Sequence, residues 1–230
     1  MRPLEQYDLA WCLRVAPRNV VNFLRENPQF VVAGGFIRAC VAGEKPSDID
    51  IFAPSKAMAE AGARELQGGD NFISTDNAFT VVKKAKFSIQ FIHRWTYEYP
   101  QQILDSFDFT IAKAAFWWEN GFENGRQVSR WQGLCDDNFY PDLAAKRLNY
   151  CAPIRNEDAG GSMLRVLKFY QRGYRIPLDS LGAVIARLVK GSPVNWVSEA
   201  AFARDITAKL IEVDPSADPA HIAHLPAKGE

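Results

Sequence analysis

The chain has no apolar run approaching about eighteen residues, so no membrane-spanning helix is expected. Its first residues, Met1-Arg2-Pro3-Leu4-Glu5-Gln6, lack the apolar core of a secretory signal, and none is expected there. Charge of one sign is not in excess: Lys+Arg and Asp+Glu number 27 each, so no global field draws the protein to nucleic acid or membrane. Any nucleic-acid contact would need a local basic patch. Cysteines are few and scattered (Cys12, Cys40, Cys135 and Cys151), with no C-x-x-C pair. That spacing argues against a zinc site and for free thiols in a reducing cytosol, so a cytoplasmic protein is expected. Histidines number three, and His221 and His224 lie near the C-terminus, which leaves no Ser-His-Asp constellation to build.

What remains is an ordinary globular composition, 47% apolar and 23% charged over 230 residues, enough for one large domain or two small ones. One stretch stands out. Phe30-Val31-Val32-Ala33 is a short apolar run that suits a covered strand, and Gly34-Gly35 follows, where the backbone turns sharply and bare N–H groups become approachable. After a short helix carrying Arg38 comes Ser47-Asp48-Ile49-Asp50-Ile51-Phe52. On a strand, Asp48 and Asp50 share one face with Cα atoms about 7 Å apart, while Ile49 and Ile51 point into the core. Two carboxylates at that range repel, and a divalent cation between them removes the conflict; hard Mg²⁺ prefers such oxygens together with substrate phosphates.

The remaining pattern predicts an arm or short helix over residues 1–16 and a helix over Asn19 to Glu26. Ser55 is expected to cap a helix running to Gln67, and Gly68-Gly69-Asp70-Asn71 to end it. Strands are expected at Phe79 to Val82 and Phe87 to Ile92, joined by a basic tip with Lys83, Lys84 and Lys86 that is read as a solvated turn. Gln101 to Asp105 is a short helix, and Phe107 to Trp117 fits strand or helix equally. Glu119-Asn120-Gly121 and Glu123-Asn124-Gly125 are turn signals. Helices are expected over Asp142 to Tyr150, Ser162 to Arg172 (with Met163, Val166, Leu167 and Tyr170 on the apolar face, and Gly173 as C-cap), Leu178 to Val189 and Val197 to Val213. The cluster Trp95, Tyr97, Tyr99, Phe116, Trp117, Trp118 and Trp131 reads as packing or interface rather than base stacking. The expected class is α+β: a small mixed-sheet head over 1–140, a helical neck over 141–213, and a flexible tail over 214–230.

Four ordered pieces carry a family resemblance. Gly34-Gly35-x-x-Arg38 with Asp48-Ile49-Asp50 resembles the G-G-x-V-R-D and D-x-D signature of nucleotidyltransferases of the DNA polymerase β superfamily. Within it, the head domain of class II CCA-adding enzymes and bacterial poly(A) polymerases is the nearest pattern. Phe107-Asp108-Phe109-Thr110-Ile111 resembles their R-R-D-F-T-I-N-A-L segment, which lies beside the nucleotide sugar. Asp142-Leu143 with Lys146-Arg147 resembles the link from head to neck. Leu164-Arg165-Val166-Leu167-Lys168-Phe169 resembles the base-reading helix. The pieces span residues 29 to 177. Departures are Phe107 for arginine, Ala112 for asparagine, and Ser162 in place of the acid before Leu164, with Glu157-Asp158 lying upstream. The strand expected beside D-x-D places Gln90 where the superfamily has its third acid. About fifty residues follow position 177, fewer than the body and tail of tRNA-specific members require.

The resemblance implies transfer of a nucleoside monophosphate from an NTP to a hydroxyl, with an RNA 3′ end as the expected acceptor, through a two-metal Mg²⁺ site on Asp48 and Asp50. Ser47, Gly34, Gly35 and Arg38 would hold the triphosphate, although Arg38 also suits a helix-surface ion pair. Asp108 would join the catalytic acids or touch the sugar, but it suits a helix N-cap equally well. Arg165 and Lys168 would contact base or phosphate, or form a solvated basic face. Two other readings stay open: transfer to a protein side chain, and a binding or regulatory protein that keeps the pocket without the chemistry. Nothing in the sequence sets the oligomeric state.

Overall fold

The computed structural model describes residues 1–67, 71–82, 88–151, 159–190 and 198–213. It divides into two compact units, Met1–Ala145 and Lys146–Glu230. The first holds an eight-stranded, mostly antiparallel sheet: β1 (Arg2–Pro3), β2 (Val31–Ala33), β3 (Asp48–Phe52), β4 (Asn71–Ser74), β5 (Ala78–Val82), β6 (Ser88–Ile92), β7 (Ala114–Glu123) and β8 (Arg126–Cys135). Their order is β1-β8-β7-β2-β3-β6-β5-β4, and β3 and β6 are the parallel pair. The expected α+β head is therefore present.

Strict alternation in the central strands divides the sheet into two faces. Ile49, Ile89 and Val81 form one row, and Ile51, Phe91 and Phe79 the next, all buried. Helix α4 (Lys56–Gln67) packs over β5 and β6, and α2 (Arg18–Glu26) packs against α4. Ser55 Oγ accepts from the Met58 N–H at 3.2 Å, the cap its sequence position implies. Phe23 of α2 meets Phe91 edge-on with ring centroids 5.5 Å apart. Gly62 lets the α4 backbone come this close: a Cβ there would sit 2.6 Å from Phe91 Cε1 and 2.9 Å from Phe23 Cζ. In a free helix Gly→Ala gains about 1 kcal/mol. Here two rigid rings must move, an overpacking cost of roughly 1–3 kcal/mol. Gly62→Ala is expected to lower stability, measured as a fall in the urea midpoint; a rise would show that the rings give way freely.

The opposite face carries Asp48 beside Ser88, and Asp50 beside Gln90 and Thr80, all half-buried. Toward the other end of the strands, α5 (Pro100–Asp105) covers it. Ile103 and Leu104 pack there with Val31, Ala33, Phe52 and Ala115. The first sixteen residues give β1 and a ten-residue helix, α1 (Gln6–Val15), packed on α3 (Gly35–Val41). Asn71–Ser74 also form a strand, β4, paired antiparallel with β5, which the glycine-rich sequence had concealed.

The ambiguous segment after Phe107 resolves as a 3₁₀ turn, Thr110–Ala112, followed by β7. Of the two turn signals only the second turns. Asn124 and Gly125 adopt φ of 51° and 76°, the left-handed pair a tight hairpin needs. Asn120 stays in the ladder opposite Ser129, whose hydroxyl donates to its side-chain oxygen at 2.7 Å. Beyond Trp117 and Gln132 the two strands pair only with each other among the described residues. Trp118 and Trp131 meet edge-to-face at the root of this ribbon, ring centroids 5.1 Å apart, with the Arg25 guanidinium over both.

The second unit is helical: α7 (Ala159–Gln171), α8 (Leu178–Val189) and α9 (Glu199–Val213), with α7 packed on both others. The helix expected over Asp142 to Tyr150 is not formed. α6 (Phe139–Ala144), in the first unit, ends where Lys146 takes φ +49°, and Arg147 then bridges Arg175. The Leu148 N–H donates to the Arg175 carbonyl at 2.8 Å, so extended pairing wins over local helix propensity. α7 is rotated from its expected face. Ser162, Val166 and Phe169 are buried, whereas Leu167 and Tyr170 are exposed, because the small residues Gly160, Gly161 and Ser162 present the close-packing side. Gly173, at φ +86°, caps α7 as its position implies. The basic tip with Lys83, Lys84 and Lys86, the pair Glu157-Asp158 and the tail 214–230 lie outside the described residues. No helix among the described residues is long and apolar enough to cross a membrane.

Candidate functional site

The site grows from the edge-to-centre order of the sheet. β2 ends at Ala33, and Gly34 takes φ +86° and ψ −132°, a region that only glycine adopts readily. The Gly34 N–H donates to the Ala114 carbonyl at 2.9 Å, which pins the turn to β7. That N–H is therefore not available to a phosphate, and the cradle expected of the double glycine begins at Gly35, the first residue of α3. Phe107 closes on the same turn. A Cβ on Gly34 would lie 3.2 Å from its Cζ, and its ring meets Phe52 edge-on at 6.0 Å. Phe107, standing where the related pattern has arginine, thus supports the turn by packing. Gly34→Ala combines backbone strain with this contact and is expected to cost about 1–3 kcal/mol, read from unfolding curves; an unchanged midpoint would overturn the strain argument.

Arg38 lies one helical turn on. It is buried, and its Nη1 and Nη2 approach to 3.7 and 4.0 Å the point where a Cβ on Gly35 would be. The guanidinium thus folds back over the first turn of α3. Across the turn, Ser47 Oγ donates to Asp48 Oδ1 at 2.8 Å, which orients that carboxylate. Asp48 and Asp50 point the same way from β3, as the two-residue period demands, with Ser88 and Gln90 in register beside them on β6. The expected neighbour of the D-x-D strand is thus confirmed by pairing, and it offers an amide rather than an acid beside Asp50.

Asp108 is buried, only 4% exposed, in a segment whose Phe109, Thr110 and Ile111 are buried as well. The N-cap position of the 3₁₀ turn is Phe109, which makes no side-chain cap bond, so Asp108 stands one residue before the cap position. The turn packs on α3 and α6, and Thr110 Oγ1 donates to Asp142 Oδ2 at 2.6 Å. Asp142, singled out in sequence only as part of a linking segment, therefore anchors this strip from α6. The signal was the spacing of two buried polar residues, which has no local periodicity to reveal it. Among the described residues no three His, Cys, Asp or Glu side chains gather as metal ligands. The donor set around β3 is nonetheless all oxygen, two carboxylates with the Ser47 hydroxyl and the Gln90 amide at hand, and this suits a hard cation.

Arg165 and Lys168 lie on α7 in the second unit, the first half-buried and the second exposed. All four cysteines are free. The hydrogen bond that Cys12 donates to Cys40, together with burial, pushes the Cys12 thiol up, and burial raises that of Cys135 to about 11, so both stay protonated at neutral pH.

Residues 4–146 match the profile of a family described as "Gabija anti-defense 2 family protein". No curated protein matches the chain. Among solved structures, the Thermotoga maritima CCA-adding enzyme complexed with tRNA is similar over 92% of this chain and 52% of its own, at 18% identity and a TM-score of 0.58. A CCA-adding enzyme in complex with ATP aligns over 97% of this chain and 54% of its own, with 19% identity and a TM-score of 0.55. A tRNA nucleotidyltransferase with primer tRNA and an ATP analogue aligns over 81% and 56%, with 19% identity and a TM-score of 0.50. The chain spans about half the length of these enzymes. At such identities the likeness shows the fold, that of a nucleotidyltransferase head.

Proposed function

The chain belongs to the Gabija anti-defense 2 family, and on that premise we propose that it counters its target as a nucleotidyltransferase, moving a nucleoside monophosphate from an NTP to a hydroxyl. The observation that carries this reading is the pair Asp48 and Asp50, half-buried on one face of β3 and set beside the Gly34-Gly35 turn. Two like charges held there are costly unless a cation shares them. Asp48 and Asp50 would hold Mg²⁺, which supplies charge neutralisation along the triphosphate and at the attacking oxygen. Gly35 and the first turn of α3 would lie against phosphate oxygens, with the Arg38 guanidinium behind them. Asp108 would face the sugar, Ser47 keeps Asp48 oriented, and Arg165 and Lys168 would reach base or phosphate. The acceptor oxygen attacks the α-phosphorus, the bond to pyrophosphate breaks, and the acceptor proton passes to water. An RNA 3′ end is the leading acceptor, and a protein hydroxyl the second.

The test is incubation of the full chain with each labelled NTP, Mg²⁺ or Mn²⁺, total RNA and cell protein, beside Asp48→Asn/Asp50→Asn. Label on RNA or protein that depends on the two carboxylates supports transfer. No label above the double variant would sink it and favour a second reading: a nucleotide-binding protein that acts by occupancy. The amide of Gln90 beside Asp50 is the observation behind that alternative, because an amide cannot take up a proton as a third carboxylate would.

A further inference from the structure

On the same sheet face as the carboxylates, but at the far end of β2 and β3, a cleft of about 600 Å³ opens beside α5. Its wall begins at Phe52, two residues beyond Asp50, and includes Tyr97, Tyr99 and Trp117. Tyr97 is fixed by its ring contact with Phe52, centroids 6.1 Å apart, whereas Tyr99 is 60% exposed. Pro28, Pro54 and Pro100 also line it, so at those three positions the backbone is stiff and has no N–H to donate.

The charge of this cleft is informative. Glu98 is the one side chain charged at neutral pH among the described residues that line it, and it is exposed. The Glu98 N–H donates to Gln102 Oε1 at 2.9 Å, which ties the loop to α5 and sets where its carboxylate emerges. Arg94, the nearest cation in sequence, is stacked on Trp95 instead, 4.6 Å from the ring centroid. A polyanion entering here would meet a carboxylate and, among the described lining residues, no counter-charge, which disfavours an RNA backbone. A cation on an apolar stem meets the reverse: aromatic faces for the charge and the stem, and a carboxylate at the mouth. The volume exceeds one side chain and suits a residue together with its flanking backbone.

We propose that this cleft is a recognition site for an arginine or lysine side chain presented by a protein partner. It is separate from the nucleotide site and does not depend on nucleotidyl transfer. Phe52, on the strand between the two, sets them about 7–14 Å apart along β3, so one bound segment could occupy the cleft while its neighbouring residues reach the carboxylates.

Calorimetric titration of the full chain with acetylated and amidated Gly-Gly-Arg-Gly-Gly tests this. The same peptide carrying neutral citrulline, spermidine and an oligouridylate are the comparison probes. The arginine peptide is expected to bind saturably, and the citrulline peptide about tenfold more weakly. Glu98→Gln, at an exposed position, should bring the arginine peptide to the citrulline level, and Tyr99→Ala should weaken it as well. Asp48→Asn/Asp50→Asn should leave this binding unchanged. Absence of binding, equal affinity for both peptides, or indifference to Glu98→Gln would overturn the proposal. Spermidine binding as tightly as the peptide would replace a protein partner by a free polyamine, and displacement of the peptide by oligouridylate would replace it by RNA; either result also overturns it.

Discussion

Asp48→Asn/Asp50→Asn is expected to lose nucleotidyl transfer by a factor on the order of a thousand or more. The magnitude follows from the several kcal/mol that a metal site supplies in the transition state, about 1.4 kcal/mol per tenfold in rate. The measurement is incorporation of labelled nucleotide under saturating NTP and Mg²⁺. Folding should not suffer. The two carboxylates lie two residues apart on one strand face and are half-buried, and neutralising them removes mutual repulsion. A double variant as stable as the parent, or slightly more so, with its activity gone separates chemistry from collapse. Activity within a few-fold of the parent would remove these residues from the mechanism.

Phe91→Ala is the second large effect, and it acts on the other side of the same strand pair. Phe91 is fully buried, in register between Ile51 and Phe79. Its ring meets Phe23 and Phe30 edge-on, with centroids 5.5 and 5.9 Å away. Truncation leaves a cavity that the glycine-tight packing of α4 cannot refill, and the expected loss is about 3–5 kcal/mol. Denaturant unfolding followed by tryptophan fluorescence reads this as an early transition of the first unit. A loss below about 1 kcal/mol would mean that the helices collapse into the space. Because Gln90 lies one residue away on the opposite face, the variant also tests whether the carboxylate face tolerates a weakened floor.

Much of the head was legible because its elements obey local rules. The alternation of Asp48, Ile49, Asp50 and Ile51 set the strand and its faces, and the Gly34 turn required a conformation that few residues adopt. Even the neighbour of Asp50 followed, since Ser88 to Ile92 alternates in the same sense and pairs in register. What local rules could not supply depended on distant partners. The Gly34 N–H is consumed by Ala114, some eighty residues away. α7 turned its small residues inward because helices later in the chain pack there, and residues 147 and 175 paired where a helix was expected. Phe107 looked like a departure from a site pattern and is instead a packing residue against the glycine turn. The aromatic run divided into four uses: a platform for Arg94 at Trp95, core at Phe116, ribbon root at Trp118 and Trp131, and cleft wall at Tyr97, Tyr99 and Trp117.

The projecting ribbon of β7 and β8 carries one more consequence. Past Trp117, among the described residues, it has two open edges, each a row of backbone donors and acceptors on which a second chain could polymerise. Its side chains make that unrewarding. Arg130 and Glu123 pair at 2.6 Å, and Gln132 donates to Glu119 at 2.7 Å, so charge and amide groups line the ladder where a sticky strand would be apolar. Gly121 and the Asn124-Gly125 turn further lower its value as a template. The ribbon can therefore stand clear of the sheet at high concentration without seeding aggregation, which leaves Phe122, 78% exposed at its tip, as the isolated apolar point it presents to solvent.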